Sequence, residues 1–192
     1  MEIETEQGAA ASEQGSATPG MGMRWTNGAR PSKPARKLLQ IYLADHQAGS
    51  TAGLELARRA ARHNAGTRIG VVMDDVVAEI VADRRSLEQL MDALEVRPSR
   101  VKQTMAFVAE RAARLKTNGR LFSYSPLSRV VELESLALGV LGKLALWEGL
   151  ADIPALQGIA GLDFPGLAER ARSQHDAIEE CRLQAVEVAF AG

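Results

Sequence analysis

Two histidines and two acidic residues lie at positions from which they could share a metal ion: His46, Asp83, Glu134 and His175. Each is a polar side chain in an apolar row of a predicted helix, with apolar neighbours three and four residues away. Imidazole and carboxylate groups bind iron and manganese, and an open coordination position would permit Lewis-acid or redox chemistry. The pattern therefore raises the hypothesis of an inward-facing transition-metal site.

The same four residues also fit a purely structural role. A charged side chain inside a protein must be paired, and Arg84, Arg85 or Tyr42 could supply the partner of the acids. A buried polar network without any cofactor is the favoured interpretation, and the metal site is the alternative. Asp45 points about 100° away from His46 around the helix axis, so we expect it to face solvent or a neighbouring helix end.

Helical periodicity and end signals predict five helices, and no segment shows the alternation of a half-buried strand. The predicted helices cover about 35–63, 67–96, 97–116, 126–149 and 164–190. Predicted N-caps are Thr67, Ser125 and Asp163, whose side-chain oxygens can accept hydrogen bonds from the first turn. The sequence therefore predicts an all-α fold.

Composition divides the chain into a tail and one domain. Residues 1–34 are acidic and rich in Gly, Ser and Pro, which predicts a disordered tail, and Met1, Met21 and Met23 are possible translation starts. Residues 35–192 suit one hydrophobic core. No secretory signal and no apolar stretch long enough to span a bilayer is apparent, so we expect a cytoplasmic protein without membrane association.

Connection lengths predict how the long helices are arranged. A link of about three residues predicts that the first two long helices are antiparallel. A modest loop predicts that the last two long helices are antiparallel as well. A helix of about eighteen residues within 97–116 would span about 27 Å, enough to run back along the bundle. The second and third long helices would then be parallel, with this shorter crossover helix between them.

The helix order and four segments resemble a poorly characterised group of ferritin-like bundle proteins from high-GC bacteria. The segments are YLADHQAGSTAGLELARRAA, RPSRVKQ, SPLSRVVELESLALGVLGKLALW and LDFPGLAERARSQHDAIEECRLQA. The resemblance covers about 35–190 and implies a ferritin-like bundle. Active ferritin-like carboxylate proteins use Glu-x-x-His pairs, whereas here Glu79 is followed three residues later by Ala82, and Glu169 by Arg172. The resemblance therefore implies the fold without the oxidative chemistry.

A basic segment covers 97–129 and contains one acid, Glu110. Clustered Arg and Lys side chains neutralise phosphates, so anion or nucleic-acid binding is a further alternative. No recognised nucleic-acid motif accompanies the cluster, and a solvated face neutralised by acids of the second helix is favoured. The candidate anion-binding residues are Arg97, Arg100, Lys102, Arg111, Arg114 and Lys116.

Small residues flatten one face of two predicted helices, with Gly49 and Gly53 on the first and Gly139 and Gly142 on the fourth. Glycine inside a helix costs about 0.5–1 kcal/mol relative to alanine, so close packing of another backbone is the expected reason. Packing within the chain is favoured over a homodimer seam. No nucleophile motif or phosphate-binding glycine loop is present, so we expect a non-catalytic bundle that acts through protein contacts, including self-association.

Overall fold

A computed structural model gives the structure of residues 32–96 and 124–191. These residues form four long helices and two 3-10 turns, with no strand among them, so the all-α prediction is confirmed for these ranges. The 3-10 turns are Pro154–Leu156 and Ile159–Gly161. The long helices are α1 (Lys33–His63), α2 (Arg68–Ala93), α3 (Pro126–Ala151) and α4 (Phe164–Phe190).

Several predictions fall outside the described residues. Most of the predicted tail over 1–34 does so, and α1 begins at Lys33, two residues before the predicted start. The predicted crossover helix over 97–116 also lies outside, as do all the candidate anion-binding residues. These residues are Arg97, Arg100, Lys102, Arg111, Arg114 and Lys116.

Local side-chain chemistry sets the helix starts as predicted. In three helices the side-chain oxygen of the cap accepts the backbone N–H three residues later, at 3.1 or 3.2 Å. These caps are Thr67, Ser125 and Asp163. Each bond satisfies a donor that the hydrogen bonds of the helix itself leave unpaired.

The turn from α1 to α2 depends on two glycines. Gly66 has φ +78°, a left-handed conformation that glycine adopts readily. A Cβ on Gly70 would lie 2.2 Å from the carbonyl oxygen of Asn64, so a larger residue would require the backbone to move. The tight turn holds α1 and α2 antiparallel, as the short link predicted.

Contacts between distant residues show that α2 and α3 run in the same direction. Near their starts, the side-chain amide of Asn64 donates to the hydroxyl of Tyr124 at 3.1 Å. Near the end of α2, the amide of Gln89 donates to the carbonyl of Ala160, beyond the end of α3, at 2.8 Å. Val96 and Tyr124 therefore lie at opposite ends of the bundle, as the predicted parallel arrangement requires.

One apolar core fills the space between the helices. Helix α1 packs against α2 and α3, and α4 packs against the same two helices. Trp147 and Phe164 are among the largest fully buried side chains, and their rings stack with centroids 6.1 Å apart. Burying a large apolar side chain contributes roughly 1.5–3 kcal/mol. Among the described residues, no helix combines the length and the apolar character needed to cross a membrane.

Candidate functional site

A cleft opens between α1, α2 and α3 near the middle of their lengths, and we call it the α1–α3 cleft. Its volume is about 410 Å³. Small-molecule sites usually have roughly 300–1,000 Å³, with apolar walls and a few polar groups. The apolar wall residues include Ile80, Leu87, Leu136, Val140 and Leu146.

Helix positions without side chains keep the cleft open. Gly49 and Gly53 of α1 line it, as do Gly139 and Gly142 of α3. A Cβ at any of these positions would meet no atom within 4 Å. Within 32–96 and 124–191, no other backbone packs against these glycines, so the predicted close packing is not observed among the described residues. They leave open space between the two helices instead.

The inner wall of the cleft contains a buried ionic cluster around Asp83, which is 4% exposed. Its Oδ2 accepts a hydrogen bond from Lys143 Nζ at 2.5 Å and another from the Gln174 amide at 3.2 Å. Its Oδ1 accepts from Arg170 Nε at 2.7 Å. Lys143 also donates to Gln174 Oε1. One acid of α2 is thus bonded to cations from both α3 and α4.

Burial lowers the pKa of the Lys143 ammonium, and the nearby Arg170 charge lowers it further. The charge and hydrogen bond of Asp83, together with the Glu79 charge, act in the opposite direction. A lysine with a lowered pKa beside a cleft could act as a nucleophile if its amine were available. Here the ammonium is hydrogen-bonded to Asp83 and Gln174, so its geometry is that of an ion-pair partner.

Two residues that line the cleft each have a buried donor atom with no acceptor among the described residues. These donors are Nε1 of Trp147, a residue 1% exposed, and Nε of Arg84. The other end of the Arg84 guanidinium lies 4.0 Å from Glu88. A buried donor without an acceptor costs about 1–3 kcal/mol. A ligand acceptor atom that reached either donor would therefore stabilise the complex.

His46 and Tyr42 line the cleft from α1, and their rings meet edge-on with centroids 4.6 Å apart. Burial lowers the pKa of His46 below its ordinary value of 6.5, and the charge of the exposed Asp45 partly opposes that shift. The His46 imidazole is therefore neutral at pH 7.

Acidification is expected to destabilise the fold through His46. Its pKa is lower in the folded protein than the 6.5 of the unfolded chain, so the unfolded chain binds more protons as the pH falls below that value. The contribution of neutral His46 to the free energy of unfolding is complete above pH 6.5. It declines as the pH falls toward the lower pKa that His46 has in the folded protein. Urea unfolding at several pH values tests this expectation. Between about pH 7.5 and about pH 5.5, the free energy of unfolding of His46→Gln should fall less than that of the parent protein. An identical decline in both proteins would contradict the expectation.

The four predicted metal-ligand positions do not converge. His46 and Asp83 line the cleft, whereas Glu134 is exposed on α3. The His175 side chain is 24% exposed, with its Nδ1 3.3 Å from Asp176. Across 32–96 and 124–191, no group of three or more His, Cys, Asp or Glu side chains is placed to hold a metal ion.

The inward orientation predicted for Glu134 is wrong. The buried glutamate of α3 is Glu132, which is 1% exposed. Its Oε1 lies 2.6 Å from Arg59 Nε, and its Oε2 lies 3.8 Å from Nδ1 of His63. Apolar residues lie on every side of α3, so periodicity did not define its inner face. The leucines predicted to share the inner row, Leu138 and Leu141, are 56% and 40% exposed.

Sequence reasoning also missed the residues that pair with Asp83. The expected partners were Arg84, Arg85 or Tyr42, whereas the observed partners come from α3 and α4. One signal could have revealed the first of them, because Lys143 is the only base of α3 after its first turn. A cation in the interior of such an apolar helix requires an acid from a neighbouring helix.

Comparisons with protein-family models, with curated proteins and with solved structures found no match.

Proposed function

We propose that this protein is a non-catalytic helical bundle of ferritin-like topology that acts by binding, with the α1–α3 cleft as its binding site. The shared direction of α2 and α3 supports this topology, since it requires one long crossover connection. The bonding around Asp83 favours binding over catalysis. Its carboxylate already accepts hydrogen bonds from Lys143, Arg170 and Gln174, so none of these groups is placed for proton transfer to a substrate.

The open glycine face is the observation that carries the proposal. Each glycine inside a helix costs about 0.5–1 kcal/mol relative to alanine. Close packing within the described chain does not offset this cost at four helical glycines, which are Gly49, Gly53, Gly139 and Gly142. These positions instead leave a space of about 410 Å³ between apolar walls. A ligand that fills this space would remove the walls from water and so stabilise the complex.

Titration with the neutral apolar dye N-phenyl-1-naphthylamine, whose fluorescence rises in apolar surroundings, tests this function. The parent protein should bind the dye saturably. Gly139→Leu places a side chain in the cleft and should weaken binding at least about tenfold, which corresponds to about 1.4 kcal/mol.

The matched control is Gly149→Leu, on the same helix, where a Cβ also meets open space but the position does not line the cleft. This variant should bind the dye like the parent. Absence of binding by the parent, or equal binding by the two leucine variants, would contradict the proposed site.

Self-association through the same face is a second candidate function, favoured by two exposed leucines of α3. Leu138 is 56% exposed and lines the cleft, and Leu141 is 40% exposed. Exposed apolar side chains that cluster often mark interaction sites. Sedimentation equilibrium should show a concentration-dependent dimer of the parent protein. Leu138→Glu should abolish this dimer. Leu183→Glu, at a 55% exposed position of α4, should preserve it. A parent protein that stays monomeric at every concentration would exclude this function.

A further inference from the structure

We infer that the ligand of the α1–α3 cleft is an amphipathic monocarboxylate, with an apolar chain that ends in one anionic head group. This inference rests on the proposed binding function and names the chemical class of the ligand. The chain would pack against apolar side chains such as Leu87, Leu136 and Leu146. The head group would accept hydrogen bonds from the buried donors of α2 and α3.

The unpaired donors select the head group. Trp147 Nε1 and Arg84 Nε can donate hydrogen bonds and cannot accept them. A ligand that satisfies both must therefore bring acceptor atoms. An ionised carboxylate offers two oxygens with about four lone-pair positions and no donor, whereas an ammonium group offers donors alone. A hydroxyl group has a single oxygen, so it suits this pair of donors less well.

The charges of the ionic cluster favour an anion as well. Asp83 is bonded to two cations, Lys143 and Arg170, so this part of the wall has one more positive than negative charge. Asp45 and Glu79 oppose that excess, but Asp45 is exposed and Glu79 is half-buried, so water screens their charges. Arg84 is a further cation on the cleft wall; its neighbour Glu88, 4.0 Å from the guanidinium, is an exposed acid whose charge water also screens.

Competition against the bound dye tests the ligand class with three probes that share one chain and differ in the head group: decanoate, decanol and decylammonium. Decanoate should displace the dye at a concentration at least about tenfold lower than decanol, and decylammonium should be the weakest. Arg84→Gln should remove most of the advantage of decanoate over decanol. Arg85→Gln, at the adjacent exposed arginine, should preserve it.

The outcomes separate this inference from the function on which it rests. If the parent protein does not bind the dye, the proposed binding function fails, whereas dye that binds and is displaced by none of the three probes overturns only the carboxylate inference. If all three displace it equally, or decylammonium is the strongest, the cleft still binds apolar molecules and the carboxylate inference is overturned. An advantage of decanoate that survives both Arg84→Gln and Trp147→Phe would overturn the placement of the head group. The second variant retains an aromatic ring and removes the indole donor.

Discussion

Replacing Asp83 with asparagine is expected to lower the free energy of unfolding by about 3 kcal/mol, the lower end of the ~3–5 kcal/mol observed when one partner of a buried ion pair is removed. The substitution leaves Lys143 and Arg170 beside a neutral amide. The lower end applies because the Arg170 side chain is 36% exposed, so water stabilises part of its charge. The uncompensated positive charge is the main cause of the loss.

Urea unfolding at neutral pH measures this loss, with Glu134→Gln as the matched control. Glu134 is an exposed acid, so its variant should stay within about 0.5 kcal/mol of the parent. Lys143→Met should destabilise less than Asp83→Asn, because Arg170 still pairs with the carboxylate. Equal stability of the two acid variants would contradict the buried cluster around Asp83.

Trp147→Ala is expected to lower the free energy of unfolding by about 3–5 kcal/mol. The indole is 1% exposed and stacks on Phe164, so alanine would leave a cavity next to the cleft. Trp147→Phe should cost much less, because it keeps an aromatic ring and Nε1 has no hydrogen-bond acceptor among the described residues. The same urea experiment measures both variants. An equal loss in both would indicate that the indole N–H has a stabilising acceptor.

The helix boundaries could be predicted because the signals that set them are local. Thr67, Ser125 and Asp163 each accept a hydrogen bond from a residue three positions later, so a short stretch of sequence contains the whole interaction. The directions of the helices followed from connection lengths in the same way. Neither inference required knowledge of which side chains meet across the core.

The polar interior was only partly predictable, because its pairs come from different helices. The burial of Asp83 followed from its apolar row, but its partner Lys143 is 60 positions away and Arg170 is 87 positions away. Such a pairing depends on how each helix is rotated. In α3 that rotation was ambiguous, since Leu133 is 0% exposed and Leu138 is 56% exposed although both are leucines of one helix.

The glycine pattern was visible in the sequence, whereas the cleft was not. Gly49 and Gly139 on facing helices fit either close packing or an open space. The distance between α1 and α3 decides between these outcomes, and the sequence does not contain it. In the structure the space is open, because a Cβ at either position would meet no described atom within 4 Å beyond the adjacent residues and the backbone of its own helix.

The fluorescence of Trp147 tests the central claim, a binding site in the α1–α3 cleft, most directly. The chain has two tryptophans, Trp25 and Trp147, so Trp25→Phe leaves a single indole on the cleft wall. Decanoate should change its emission saturably in this background. The change should persist with Gly149→Leu and disappear with Gly139→Leu. Emission that does not respond to decanoate, or that responds equally in the two leucine variants, would contradict a binding site in this cleft.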